Sequence, residues 1–424
     1  MIKKSVYTFY LMLFSPALAL MLGLKEKSFQ FKRVLLILFI TFYGSTIVLS
    51  EGQDGLVHLD NVNEHYLDLP FVQFIKELIA ILKFAPLYGT NDDVYIHALS
   101  YFVGGILGVP QLFFVFVSFI YAYFFSGSIL KVAQVLPQTK ISFFFYFFSV
   151  IFILQKNIEG INTVRTWTGF WILFYAAFSY FETRKTKYLL LLFIPPFVHV
   201  AYFIMAIPAW GIALFGSRFK IVYVSIFVSS FFVGLNQNAV MKGLSQTEVG
   251  ESKAQGYYVE DEGDSKLAKY ENATWYRKVQ KYGLQKIPIY IIVFTLIFSG
   301  VYFKGMNVLE TNLFSIGILT MALSNFSVFL YALNARTELI ASVFIYAAFL
   351  LLLKRGCFDK EKARFYDAYQ IIFLIATLFS IPFIIFKIAD LIYYISFFML
   401  SLPFIPWLSN EFNFSIRDFL AWLL

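Results

Sequence analysis

Residues 157–210 read NIEGINTVRTWTGFWILFYAAFSYFETRKTKYLLLLFIPPFVHVAYFIMAIPAW. A polar strip with Glu159 and Asn162 leads into Arg165, and an aromatic-rich apolar run follows to Phe181. A basic turn with Arg184, Lys185 and Lys187 comes next. A second apolar run is broken by Pro195 and Pro196, and His199 stands just past the break. As a helix, the first run is about 25 Å long at ~1.5 Å per residue. That nearly matches a hydrocarbon core of roughly 30 Å. Arg165 is therefore expected at one water boundary and the basic turn at the other. The proline pair removes backbone donors and clashes with the preceding turn, so the second run cannot be a regular helix. Irregular backbone at membrane depth persists only where protein or a water-filled cavity covers it. His199 is thus expected beside a polar cavity.

The composition extends this reading to the whole chain. Of 424 residues, 59% are hydrophobic and only 14% charged. Soluble domains are nearer a quarter charged. The expected fold class is all-α: a single polytopic membrane bundle, residues 1–424, with about 12 spans. The net charge of +8 is no sign of nucleic acid, because the basic residues gather in short loops between apolar runs, as the positive-inside rule requires. The single Cys357 excludes an internal disulfide and a cysteine metal cluster. P-loop, G-x-G-x-x-G and H-E-x-x-H motifs are missing, so no nucleotide cofactor or metal is expected.

Along the chain, apolar runs at 5–24 and 34–50 flank a loop, 25–33, that holds Lys25, Lys27, Lys32 and Arg33. That loop reads as cytoplasmic, and the first run as an uncleaved helix. The acidic segment 51–93 then lies outside, with an amphipathic piece at 71–84. The run 94–107 is too short to cross and reads as re-entrant or interfacial. Further spans are expected at 110–130, 141–155, 165–181, 188–198, 201–216 and 221–235. After the long polar segment 236–286, an extracytoplasmic loop, come 287–303, 311–333, 336–353, 366–386 and 390–404. The basic stretch 354–364 is expected inside, and an amphipathic tail, 410–424, on the inner surface.

Two arginines stand apart from the cytoplasmic loops. Arg165 and Arg336 each open an inward-running apolar stretch. A helix N-terminus offers free N–H groups and the positive end of the dipole. A guanidinium there makes an anion site, its planar fork suited to phosphate. The plainer alternative is an anchor that snorkels to the interface. His199 has an ordinary pKa of about 6.5 and suits a general base; the alternative is a structural imidazole. Asp54, between Gly52 and Gly55 in the outer segment, is the second candidate base. Glu159, Asn162 and Glu338 are further candidates. In the long loop, Tyr257, Tyr258, Trp275 and Arg277 would offer aromatic faces and a charge to sugars.

The order of these elements resembles the EpsG-type, Wzy-like polysaccharide polymerases. There an N-x-x-R element opens a transmembrane helix and an "FH-small" element ends the next. Here these are Asn162 with Arg165, and Val198, His199, Val200 and Ala201. Thr166 and Trp167 follow the arginine where the family has Gln-Gly, and no serine follows the histidine. Gln53, Asp54 and Gly55 followed by His58 resemble the family's element after its second helix.

The resemblance implies a GT-C-like bundle and an inverting, metal-independent glycosyltransferase. Its donor and acceptor would be oligosaccharides on undecaprenyl diphosphate, joined at the outer face of a bacterial inner membrane. Arg165 and Arg336 would hold the diphosphate, and His199 or Asp54 would take the acceptor proton. Membrane lipid and a chain-length regulator protein are the other expected partners. A lipid-oligosaccharide flippase or transporter and an O-antigen ligase are the alternatives. The first would be expected to show repeated halves and deep charges. The second would use the same donor.

Overall fold

The computed structural model describes residues 2–49, 53–87, 93–134, 142–234, 242, 285–359, 365–409 and 414–423. Among these residues the chain is 79% helix with no strands. Among the described residues four helices are long and apolar enough to cross a membrane: Pro110–Ala133, Phe143–Thr163, Ala332–Lys354 and Tyr366–Tyr394. Length and composition thus give the chain the character of a membrane protein. The long loop lies almost wholly outside the described residues, and so do Tyr257, Trp275 and Arg277.

The first half runs α1 (Ile2–Phe14), α2 (Pro16–Gly23), α3 (Phe29–Ser45), α4 (Asp54–Asn61), α5 (Phe71–Leu82), α6 (Val94–Ser100), α7 (Phe113–Ala133) and α8 (Phe143–Gln155). A 3₁₀ turn, Ile158–Thr163, leads to α9 (Thr166–Thr183). Short helices follow: α10 (Thr186–Leu191), α11 (Pro195–Val198), α12 (Tyr202–Met205), α13 (Ile207–Phe215) and α14 (Lys220–Ser229). Then come α15 (Lys286–Phe298), α16 (Val308–Phe326), α17 (Tyr331–Lys354), α18 (Tyr366–Tyr394), α19 (Ile405–Ser409) and α20 (Ile416–Leu423).

The central element is α9. It is apolar all round, the pattern of a helix enclosed on every side, and nearly every residue from Thr166 to Phe181 is buried. α7, α10 and the α16–α17 hairpin pack around it. Small residues set the closest approaches. A Cβ on Gly44 of α3 would sit 1.8 Å from Ser118 Oγ and 2.5 Å from the Phe114 carbonyl oxygen of α7. A Cβ on Gly317 of α16 would sit 2.6 Å from Ile345 Cγ1 of α17. Close backbone approach of this kind lets helices associate where apolar burial alone cannot drive them together.

The helices alternate in direction, so the polar ends sort into two groups. At one end Arg33 lies over the Tyr123 ring, 4.3 Å from its centroid, and Lys131 pairs with Glu182. Arg355 bonds Glu310 Oε2 at 2.6 Å, and Lys220 donates to the Tyr302 and Phe303 carbonyls. The basic segments expected to share a face, 25–33 and 182–187, do meet here, together with the start of 354–364. The other end carries the 3₁₀ turn, Arg165 and His199.

Two expectations are corrected. The span expected at 366–386 runs on without a break to Tyr394 in one helix, α18, which holds Pro382 in its interior, and the rest of the span expected at 390–404 is not a long helix. Lys387 and Asp390 do not interrupt it: Lys387 pairs with Glu159 at 2.7 Å and lies 3.6 Å from Asp390. The amphipathic tail was expected at the end with the basic loops. Instead α20 packs beside the far end of α18, with Phe419 stacked on Phe397 at 4.2 Å and Arg417 over Tyr393 at 4.6 Å. It shares the end that holds Arg165. The stretch expected at 71–84 to be amphipathic is so, as helix α5. α5 exposes Phe71, Val72, Ile79 and Leu82, while its buried Glu77 accepts the Leu87 N–H at 3.0 Å.

The α3–α7 contact gives a direct test. The methyl of Gly44→Ala must displace the Phe114 backbone as well as Ser118, and overpacking of this kind costs about 1–3 kcal/mol. Thermal unfolding in detergent should therefore show a lower midpoint than wild type. An unchanged midpoint would mean that the two helices are not in backbone contact.

Candidate functional site

The entry to α9 is built from a tight turn. Asn157 Oδ1 accepts the Glu159 N–H at 2.9 Å and starts the 3₁₀ turn. The turn closes at Val164, which has φ +48° and ψ −65°. The Arg165 N–H reaches the Thr163 carbonyl across this one residue, the pattern of a γ-turn. A β-branched side chain at positive φ is strained, and such strain persists only where packing over-determines it. Val164 is fully buried, and its carbonyl accepts the Thr168 hydroxyl at 2.5 Å. The result is an abrupt change of direction that leaves Arg165 at the N-cap of α9.

His199 is placed by a second irregularity. The chain climbs α10 and α11, breaks after Val198, and returns through α12 and α13. Trp210 Nε1 donates to the Leu192 carbonyl at 2.9 Å, and Trp210 stacks on Phe193, so the two limbs form a hairpin. Tyr202, just past the apex, donates its hydroxyl to the Thr166 carbonyl at 2.6 Å. That bond pins the apex against the first turn of α9. His199 is only 2% exposed and has extended backbone.

Asp93 joins the two. It precedes α6 and is 2% exposed. Its Oδ2 accepts from Arg165 Nη1 at 2.6 Å and lies 3.1 Å from His199 Nδ1. Its Oδ1 accepts the Val200 N–H at 2.7 Å, a donor freed by the break in the hairpin. Arg336 completes the group from α17, with Nη1 3.5 Å from His199 Nε2. Its helix is anchored two residues earlier, where Asn334 Nδ2 donates to the Ser324 carbonyl at 2.7 Å. The cluster therefore runs Arg165, Asp93, His199, Arg336. The guanidinium groups of Arg165 and Arg336 thus flank the Asp93–His199 pair. The remainder of the Arg165 fork has no hydrogen-bond partner among the described residues. A forked cation beside a buried imidazole suits an anion.

Of the residues expected from sequence, Arg165, His199 and Arg336 come together. Arg336 does not open its helix, however. α17 begins at Tyr331, so Arg336 lies more than a turn inside, where backbone N–H groups are already bonded. Asp54 is the exposed first residue of α4 and joins none of the cluster's hydrogen bonds. One turn on, His58 is buried; Arg165, Asp54, Asp93 and His199 are the charged or titratable groups near it. α4 sits against Asn162: a Cβ on Gly55 would lie 2.4 Å from Asn162 Oδ1. That oxygen is buried with no partner among the described residues. Glu159 is engaged elsewhere, accepting from Lys156 at 3.2 Å and Lys387 at 2.7 Å. Glu338 pairs with Lys286 at 2.8 Å.

Asp93 is the participant that sequence reasoning overlooked. Its signal was its place directly before an apolar helix, in the N-cap position. His58 was named in the sequence only as part of the element that begins at Gln53, not as a neighbour of Arg165 and His199.

His58 makes the site sensitive to acid. Burial, and then the Arg165 charge, push its imidazole down to about 4. Its neutral form is favoured in the folded state, whereas the unfolded chain takes up a proton near the ordinary value of ~6.5. The stability that it contributes is therefore complete above about pH 6.5 and is lost as pH falls toward 4. The thermal midpoint in detergent should fall more between pH 7 and pH 5 for wild type than for His58→Gln. Equal falls would mean that His58 is not held neutral.

No family model, no curated protein and no solved structure matches this chain.

Proposed function

We propose that this chain is a membrane glycosyltransferase of the Wzy type, polymerising oligosaccharide repeat units carried on undecaprenyl diphosphate. The observation that carries the reading is the convergence of Arg165 and Arg336 on His199. Three residues from separate stretches of sequence put two forked cations beside a candidate base, at the end of the bundle away from the basic loops. By the positive-inside rule that end is the outer face of a bacterial inner membrane. The finer architecture belongs to the same proposal: about 12 spans, a GT-C-like arrangement, and the 236–286 loop over the site with Tyr257, Trp275 and Arg277 toward the sugars.

In this mechanism the donor's diphosphate lies across Arg165 and Arg336. Their charges stabilise the negative charge that develops as the bond from the anomeric carbon to the diphosphate breaks. The acceptor hydroxyl attacks that carbon from the opposite face and inverts it, giving up its proton to His199. Asp54, exposed at the start of α4, is the weaker candidate for the base. Asn162, whose side-chain oxygen is buried without a partner among the described residues, would offer that oxygen to a sugar hydroxyl. The lipid tail leaves sideways into the bilayer, and a chain-length regulator would act from outside.

Arg165→Lys tests the assignment. Lysine keeps the charge but loses the two-pronged grip, and loss of one such contact in a transition state costs about 10²-fold in rate. Surface glycan should shrink to single repeat units while protein level stays normal. Wild-type chain lengths would reduce Arg165 to an anchor. In a deletion strain, single repeat units on lipid support the polymerase. Full-length unattached polymer would identify a ligase, and loss of repeat units from the outer face a flippase.

A further inference from the structure

Asp93 can only accept hydrogen bonds when ionised, and its surroundings keep it so. One oxygen takes Arg165 Nη1 at 2.6 Å, and the other takes a backbone N–H at 2.7 Å. Charge-assisted bonds of this kind favour the carboxylate. A carboxylate has no proton to offer an imidazole. The 3.1 Å contact to His199 Nδ1 therefore requires the hydrogen to sit on Nδ1. In a neutral imidazole the lone pair is then on Nε2, the nitrogen beside Arg336.

We propose that Asp93 is a positioning residue that holds His199 in the Nδ1–H tautomer and makes Nε2, next to Arg336, the atom that accepts the acceptor sugar's proton. The inference rests on the glycosyl-transfer reading for the sugar, but not for the tautomer. The 3.5 Å between Nε2 and Arg336 Nη1 is long for a hydrogen bond, so an incoming hydroxyl can take the place of the guanidinium on Nε2. The base and the anion site are then adjacent. The acceptor oxygen forms its bond to the anomeric carbon as its proton passes to Nε2. The electron pair of the broken bond leaves with the diphosphate on the arginines. The imidazolium that forms is stabilised through Nδ1–H by Asp93, and later returns its proton to water.

A purely structural Asp93 would also tie Arg165 to the hairpin, so the test needs a readout that this role does not move. Nitrogen-15 spectra of histidine-labelled protein in nanodiscs report the tautomer directly, with the His199 signal assigned by its loss in His199→Gln. Wild type should show an unprotonated Nε2 and a protonated Nδ1. A protonated Nε2 in wild type would overturn the proposal. In Asp93→Asn the side-chain amide can donate to Nδ1, and the protonated nitrogen should switch to Nε2. Polymerisation kcat should then fall roughly 10³–10⁴-fold, as for loss of the orienting carboxylate in a catalytic triad. A switched tautomer with wild-type kcat would show that Asp93 does not act through the base. If wild type has the Nδ1–H form but makes no polymer in reconstituted vesicles, the positioning role stands and the glycosyl-transfer reading fails.

Discussion

One buried carboxylate ties the site end of this molecule together. Asp93 accepts from Arg165, His199 and the Val200 backbone, and so connects the entry of α9, the apex of the α10–α13 hairpin and the start of α6. Each partner also removes a local defect. The Arg165 charge balances the carboxylate, and the carboxylate occupies an N–H that the proline-broken hairpin would otherwise leave unpaired. A buried charge is tolerable only when paired and hydrogen-bonded. Removal of Asp93 would leave both a guanidinium and an amide unanswered.

The same end of the bundle holds a second ionic group, Lys156, Glu159, Lys387 and Asp390, fastening α18 to the 3₁₀ turn. The turn between Asn157 and Arg165 is therefore held from two sides: by α18 through Glu159 and by α6 through Arg165. Double anchorage of this kind accounts for the strained Val164. The backbone has no room to relax into an ordinary turn, and the result is an arginine fixed at the buried end of α9. A rigid scaffold presenting an irregular, polar end suits a site that must hold a charged group at the membrane boundary.

Much of this was legible in the sequence because the bilayer makes charges conspicuous. Arg165, Arg336 and His199 stood out as ionisable groups beside apolar runs, and the proline pair announced the hairpin. The basic loops could be grouped by charge alone. Asp93 was not legible, because its value lies in partners 72 and 106 residues away; alone it resembles any solvated acid in a polar loop. Val164 carries no turn signal, since Thr-Val-Arg has neither glycine nor asparagine. Lys387 and Asp390 looked like a break between spans for the converse reason: their pairing with Glu159 and with each other hides the charge inside one helix. Helix starts were blurred too, and the five helical residues before Arg336 changed its expected role from cap to interior side chain.

The central claim is that Arg165 and Arg336 hold one anionic head group beside His199. The most direct measurement is an electron cryo-microscopy map of the protein in nanodiscs with undecaprenyl diphosphate. The diphosphate should lie with oxygens about 3 Å from guanidinium nitrogens of both arginines, on the Nε2 side of His199. Density that touches only one arginine, or that lies against the basic loops at the opposite end, would contradict the account.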